Sequence, residues 1–310
     1  MKVLITPRGF QKAGLHEVER MRKAGLEVHY NDTGIPYTHE EFVSYAKDAD
    51  AIIVGVDRMD KEMIEQCPHL KVICKFGVGT DNIDLDVCKE RNIYVGKTIG
   101  SNSRSVAEHV IAMMFTEAKN IYETVRDCKA GKWDKPTGYE ITGKQIGIIG
   151  FGAIGKHVAD MAHGLGMSIK AFDAFTIDTD VAEAYHAEIA TFEDILRTCD
   201  YISLHIPLTD DTANMISTEE FKMMKPNACL VNAARGGIVD EGALYEALHE
   251  GVIRSACFDV FSVEPPKHDE KLLALDNFLL TPHTASRTYE SETRTCEIST
   301  EIVMRELEIL

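Results

Sequence analysis

The chain has 310 residues, enough for two domains or one large one, and its 45% hydrophobic and 27% charged content is that of an ordinary globular protein, not of a disordered or fibrous chain. Thirty-three Lys and Arg against 50 Asp and Glu give a net charge of -17, a field that repels polyanions, so nucleic acid is not expected as a partner. The opening MKVLITPRGF lacks a signal-peptide core, no stretch approaches the roughly 18 apolar residues of a membrane span, and eight cysteines lie scattered without a CxxC pair; a cytoplasmic protein with reduced thiols and no metal site or disulfide is expected. From the N-terminus, short apolar runs alternate with helical patterns: KVLI (2–5), LEVHY (26–30), AIIV (51–54), KVIC (71–74) and NIYV (92–95), with helical stretches at 11–24, 39–47, 60–66 and 84–90. That alternation predicts an open α/β sheet. Residues 102–128 then read as one long helix, whose apolar Val106, Val110, Ile111, Met113, Met114 and Phe115 exceed what one face would use and predict a homodimer contact. A second array follows with IGIIG (146–150), SIKAFD (168–173), YISLHIP (201–207), ACLVNAA (228–234), RSACFDVF (254–261) and FLLTPH (278–283), and a helical stretch at 287–308 ends the chain.

The strand IGIIG runs straight into G-x-G-x-x-G, spelled Gly150-Phe151-Gly152-Ala153-Ile154-Gly155, and a helical pattern follows. In a dinucleotide-binding turn Gly150 makes the tight bend, Gly152 lets backbone approach the pyrophosphate and Gly155 permits close helix–strand packing. The helix start at Ala153 and Ile154 offers unpaired N–H groups to the phosphates. The next strand ends in Asp173, where a carboxylate can accept from ribose hydroxyls and repel a 2′-phosphate, so NAD is expected over NADP. Gly150–Lys156 also spells the G-x-x-x-x-G-K of a nucleoside triphosphatase loop, but His157 stands where that loop needs Ser or Thr for magnesium.

Three later strands end in polar residues, within LVNAARGGIVDE (230–241), CFDVFSVEPP (257–266) and LLTPHTAS (279–286). Ligands in open α/β sheets bind beyond the carboxyl ends of strands, so Arg235, Glu264 and His283 are candidates for one cleft. The Arg235 fork suits a carboxylate and a carbonyl oxygen. His283 paired with a carboxylate, here Glu264, suits proton exchange near neutral pH.

The motifs KFGVGTDNID (75–84), SVAEH (105–109), GxGxxG (150–155), DYISLHIPLT (200–209), VNAARGGIVDE (231–241), FDVFSVEP (258–265) and LLTPHTAS (279–286) together resemble the D-isomer-specific 2-hydroxyacid dehydrogenases. The resemblance implies two Rossmann-like doubly wound parallel-sheet α/β domains, with a NAD-binding domain (99–286) inserted into a substrate-binding domain (1–98 plus 287–310). It implies that Arg235 binds the substrate carboxylate, that His283 exchanges the proton and that Glu264 orients His283. It also implies that Asp259, Pro207, Ala233 and Ala234 line the cofactor, and that the loop Lys75-Phe76-Gly77-Val78-Gly79 holds the substrate, a small 2-oxo or 2-hydroxy acid.

Within the family the chain looks most like short phosphoglycerate dehydrogenases, with Arg8, Lys75 and Arg104 as a candidate cationic lining for a phosphate. Lys75, a point charge, stands where the loop usually carries arginine. With no regulatory domain after residue 310, serine feedback through one is not expected. Hydroxypyruvate or glyoxylate reduction, formate or phosphite oxidation, and an NAD-sensing corepressor-like role are the alternatives.

Overall fold

A computed structural model describes residues 1–309. The chain forms two compact units, Met1–Asn102 with Arg287–Leu310, and Ser103–Ser286. The first unit comprises β1 (Lys2–Ile5), α1 (Gly9–Ala13), α2 (Leu15–Lys23), β2 (Glu27–Tyr30), α3 (His39–Ala46), β3 (Ala51–Val54), α4 (Lys61–Glu65), β4 (Val72–Lys75), α5 (Leu85–Glu90) and β5 (Tyr94–Lys97). The second comprises α6 (Ser103–Ala118), α7 (Ile121–Lys129), β6 (Gln145–Ile149), α8 (Ala153–Gly164), β7 (Ser168–Phe172), α9 (Thr179–Ala184), β8 (Ala187–Ile189), α10 (Phe192–Thr198), β9 (Tyr201–Leu204), α11 (Thr218–Met223), β10 (Cys229–Asn232), α12 (Glu241–His249), β11 (Ser255–Phe258) and β12 (Phe278–Leu280). The chain then returns to the first unit as α13 (Tyr289–Glu306), which packs on α1, α2 and β4.

Both sheets are wholly parallel, in the orders β2-β1-β3-β4-β5 and β12-β11-β10-β9-β6-β7-β8. A parallel sheet is covered on both faces, so its central strands need unbroken apolar runs. AIIV of β3 and YISL of β9 are buried along their whole length. Helix starts follow equally local rules. Asp60, Asp84, Asp178, Thr191, Asp240 and Thr288 each cap a helix by accepting from a first-turn N–H, and Thr38 with Glu41 closes a capping box. Each cap contributes about 1 kcal/mol. The winding direction reverses between β1 and β3 in the first sheet and between β6 and β9 in the second, and such switch points open the crevices in which ligands bind.

Two expectations are corrected, one strand is added and the end of the first unit is located. The helix expected over 11–24 is broken at Gly14, where a Cβ would stand 2.5 Å from Phe10 Cδ1 and 2.8 Å from Cys296 Sγ, so only glycine lets the α1–α2 corner close on α13. The helix expected over 102–128 ends at Ala118, because Asn120 adopts a left-handed φ of 51° and restarts the chain as α7. The short edge strand β8 has too little apolar patterning to stand out in the sequence. The first unit runs past 98 to Asn102, because Ser101 is tied to α13: its carbonyl accepts from Arg294 Nε (3.0 Å) and its hydroxyl from Thr295 (2.9 Å).

The break at Asn120 also relocates the surplus apolar surface. Val106, Val110, Met113 and Met114 are core residues of the second unit, and Ile111 and Phe115 pack against the same core, where α6 lies on α8. The uncovered apolar face belongs to α7, which buries no residue and exposes Ile121, Tyr122 and Val125.

No helix among the described residues is long and apolar enough to cross a membrane. Of the eight cysteines only Cys128 is exposed, and burial pushes Cys67 and Cys199 up to about 11 and Cys74 and Cys296 up to about 12. Since the thiolate is the reactive form, at most one thiol of the native protein should react quickly with Ellman's reagent at neutral pH. All should react on unfolding; several fast thiols in the native protein would contradict this packing.

Candidate active site

The glycine-rich turn joins β6 to α8 at the switch point of the second sheet. Gly150 has φ 98°, and a Cβ there would lie 2.5 Å from the His205 carbonyl oxygen. A Cβ on Gly155 would lie 2.3 Å from the Gly150 oxygen, so this glycine serves helix–strand packing. Gly152 differs, because a Cβ on it would meet nothing within 4 Å. No packing demand of the protein itself requires glycine there, which fits a cradle kept open for a diphosphate. Gly152 is also the N-cap of α8 without a side-chain cap, so the helix start keeps its N–H groups toward that cradle. Asp173, half-buried at the end of β7, accepts from the Phe151 N–H (2.7 Å) and the Phe175 N–H (3.0 Å), which fixes its carboxylate beside the turn.

Further along the same carboxyl edge, Asn232 ends β10 fully buried. Its Oδ1 accepts from the Ala234 N–H (3.0 Å), and its Nδ2 donates to the Arg235 carbonyl (2.9 Å), which shapes the turn that carries Ala233, Ala234 and Arg235. Arg235 donates to the Ala234 carbonyl (2.7 Å) and has further interactions. Gly236 presses this turn onto the next loop, because a Cβ on it would stand 2.0 Å from the Phe261 oxygen. In that loop Glu264 Oε1 accepts from the Phe261 N–H (3.0 Å), and Glu241 of α12 holds Ser262 through its N–H (2.7 Å) and hydroxyl (2.6 Å). The other Glu264 oxygen lies 2.8 Å from His283 Nδ1. The fold therefore ties the loops of all three candidates, Arg235, Glu264 and His283, to one edge.

His283 has φ 52°, an uncommon conformation for a residue with a Cβ, and it is held there from both sides. The Asp259 carboxylate, 1% exposed, accepts from the Thr281 hydroxyl (2.5 Å) and the Thr284 N–H (2.8 Å) through Oδ1, and from the Ala285 N–H (2.8 Å) through Oδ2. Asp259, expected beside the cofactor, thus acts within the unit as the clamp of the His283 loop. Pro207 lies exposed past β9, with its carbonyl accepting from the Thr212 hydroxyl (2.7 Å).

The loop of Lys75, Phe76, Gly77, Val78 and Gly79 belongs to the first unit, at the carboxyl end of β4. Gly77 has φ 143°, open only to glycine at low cost, and its N–H reaches Thr98 Oγ1 (2.9 Å). Lys75 Nζ donates to the Gly55 carbonyl (2.5 Å) and Asn82 Oδ1 (2.7 Å) and has further interactions. At this sheet's switch point, past β1 and β3, the Thr6 hydroxyl donates to Asp57, which sets a carboxylate in the crevice. Arg8, exposed, follows Thr6 and Pro7, while Arg104 belongs to the second unit and pairs with Glu108 (3.2 Å). The cationic lining expected from Arg8, Lys75 and Arg104 is therefore not one cluster of the first unit, and Asp57 was missed.

Sequence reasoning also missed Asn232, Gly236 and Glu241, although an Asn three residues before Arg235 signals a side chain folded back on its own turn. His205 is a further omission. Its N–H donates to the Ile149 carbonyl (2.7 Å), one ring nitrogen meets Ser203 Oγ (2.9 Å) and the other is buried without a hydrogen bond.

Residues 111–285 match the family model for the D-isomer specific 2-hydroxyacid dehydrogenase, NAD binding domain. Over 295 residues the chain is 39% identical to a D-3-phosphoglycerate dehydrogenase of Archaeoglobus fulgidus, covering 94% of this chain but 54% of that protein. It is 37% identical to a glyoxylate reductase of Thermococcus litoralis, covering 96% of this chain and 91% of the relative. The solved D-lactate dehydrogenase of Aquifex aeolicus, complexed with NAD and lactic acid, superposes with a TM-score of 0.81 at 29% identity, covering all of this chain (100%) and 97% of that one. The chain belongs to the D-isomer-specific 2-hydroxyacid dehydrogenase family. It spans about half the length of the phosphoglycerate dehydrogenase it matches.

Burial holds the His205 imidazole neutral, down to about 4 from its ordinary value near 6.5. Between those values the unfolded chain takes up a proton that the folded chain refuses, so stability is full above about pH 6.5 and falls as pH drops toward 4. His205→Gln should therefore lose less thermal stability than wild type between pH 7 and pH 5. Equal losses in calorimetry would remove His205 as a source of acid sensitivity.

Proposed function

We propose that this chain interconverts a D-2-hydroxy acid and its 2-oxo acid with NAD. The observation that carries this reading is the His283–Glu264 pair at 2.8 Å, on the same sheet edge as a glycine cradle whose open position has no packing role. Bound NADH supplies the hydride to the substrate carbon. With Nδ1 engaged by Glu264, His283 has Nε2 left to deliver a proton to the carbonyl oxygen as that oxygen becomes an alcohol. The Arg235 guanidinium binds the substrate carboxylate and polarises the 2-oxo group. Asp173 accepts from the adenosine ribose, which favours NAD over its 2′-phosphorylated form. This set also favours catalysis over a binding-only, corepressor-like role.

Among substrates we favour unphosphorylated short 2-oxo acids such as hydroxypyruvate and glyoxylate. Asp57 at the switch point of the first sheet is a like charge to a distal phosphate, and Lys75 is committed to oxygen acceptors of its own unit. A second copy of the chain is the partner that suits the apolar face of α7, and eight free thiols, with Cys229 and Cys257 sulfurs 4.0 Å apart, suit a reducing compartment such as the cytoplasm.

Three outcomes are expected. With NADH and hydroxypyruvate, His283→Ala should lower kcat by about 100-fold or more, the scale of lost general acid catalysis, while NADH affinity changes little. Near-normal turnover would overturn the mechanism. Wild type should prefer hydroxypyruvate to 3-phosphohydroxypyruvate in kcat/KM, and Asp57→Asn should narrow the gap mainly through the KM of the phosphorylated acid; a wild-type preference for the phosphorylated acid would refute the substrate assignment. Sedimentation should give a dimer that Tyr122→Asp converts to monomer, and an unaffected dimer would move the interface off α7.

A further inference from the structure

The SVAEH segment at 105–109 contributes no residue to the chemistry proposed above, yet α6 touches the His283 loop twice. Ser105 Oγ donates to the Ala285 carbonyl (2.8 Å), and one turn further His109 Nε2 lies 3.0 Å from Thr281 Oγ1 and 3.5 Å from Asp259 Oδ1. Residues four apart share a helix face, so both side chains emerge toward the same loop and grip it at its two ends, Thr281 and Ala285. The protons can be assigned by elimination. The single Thr281 hydroxyl proton goes to Asp259, so the Thr281 oxygen can only accept from His109, and Nε2 must carry hydrogen. That N–H also points its positive end at a carboxylate that is nearly wholly buried and needs compensation. The other end of α6 is equally anchored: Glu117 accepts from Arg254 Nη2 (2.9 Å) and Ser255 Oγ (2.7 Å) where β11 begins, while Asp259 follows where β11 ends. The helix is therefore a strut fixed at both edges of the sheet.

We propose that His109 is a positioning residue for the dehydrogenase reaction: through Thr281 and Asp259 it holds the backbone that sets the direction of the His283 imidazole. The inference rests on the catalytic role proposed for His283, but the brace has a readout that needs no turnover. His109→Leu removes the hydrogen bond at similar bulk, His109→Gln keeps an N–H able to reach Thr281, and Thr281→Val removes the shared acceptor. For His109→Leu we expect faster hydrogen exchange of the Thr284 and Ala285 amides, and kcat for hydroxypyruvate lowered about tenfold with the NADH Kd unchanged. His109→Gln should recover most of both. Thr281→Val should reproduce the loss, and combining it with His109→Leu should add little, because both act on one contact. Unchanged exchange and unchanged kcat in His109→Leu would overturn the proposal, as would a kcat loss that His109→Gln fails to restore. Faster exchange in a wild-type background that reduces no 2-oxo acid would keep the brace and discard the catalytic reading instead. If His109→Leu fails to fold, Thr281→Val against His109→Gln decides the question by the same two measurements.

Discussion

Every strand of both sheets runs parallel to its neighbours, and that constraint organises the rest of the molecule. A parallel sheet forces the chain back to the same edge after each strand, so the carboxyl ends collect along one line and the helices cover both faces. Whatever polar residue follows an apolar strand is thereby delivered to that line. Along the second sheet it carries Gly150, Asp173, Asn232, Asp259 and, past β12, His283; along the first it carries Thr6, Asp57 and Lys75. Residues more than a hundred positions apart in sequence become neighbours without any long excursion of the chain.

The loops at this edge are held in part by hydrogen bonds from backbone amides to side-chain oxygens, those of Asp259 and Asn232 buried and that of Glu264 exposed. Asp259 takes two amides and a hydroxyl, Asn232 folds the Arg235 turn onto itself, and Glu264 ties its own loop while facing His283. A buried acceptor that loses its donors costs about 1–3 kcal/mol or more, so these loops resist rearrangement even though little apolar surface pins them. The rigidity matters because acid–base catalysis depends on heavy-atom distances near 3 Å. The -17 net charge of the chain makes compensation of each carboxylate local, by amides, Lys, Arg or His, and not by the protein's overall field.

The central strands were legible because burial on two faces leaves an unbroken apolar signature, and the glycine turn because G-x-G-x-x-G follows directly on an apolar strand. The Arg235, Glu264 and His283 positions could be singled out as strand-end polar residues, and their family pattern added roles that spacing does not carry. What was not legible depended on contacts distant in sequence. Gly14 reads as an ordinary helical residue until Cys296 is seen against it. Asp57 reads as a solvated charge until β1 brings Thr6 beside it, and the apolar excess of α6 reads as surplus until α8 is packed on its second face. Edge strand β8 offers three residues and no apolar run, so nothing in local pattern could announce it.

The proposed reaction is direct hydride transfer to one face of a 2-oxo acid with proton delivery by the His283–Glu264 pair. Reduction of hydroxypyruvate by NADH carrying deuterium at both C4 positions of the reduced nicotinamide, followed by NMR and chiral analysis of the product, tests it most directly. One deuterium is expected at C2 of the D-2-hydroxy acid and none exchanged with water. An L or racemic product, or a C2 position filled from solvent, would contradict it.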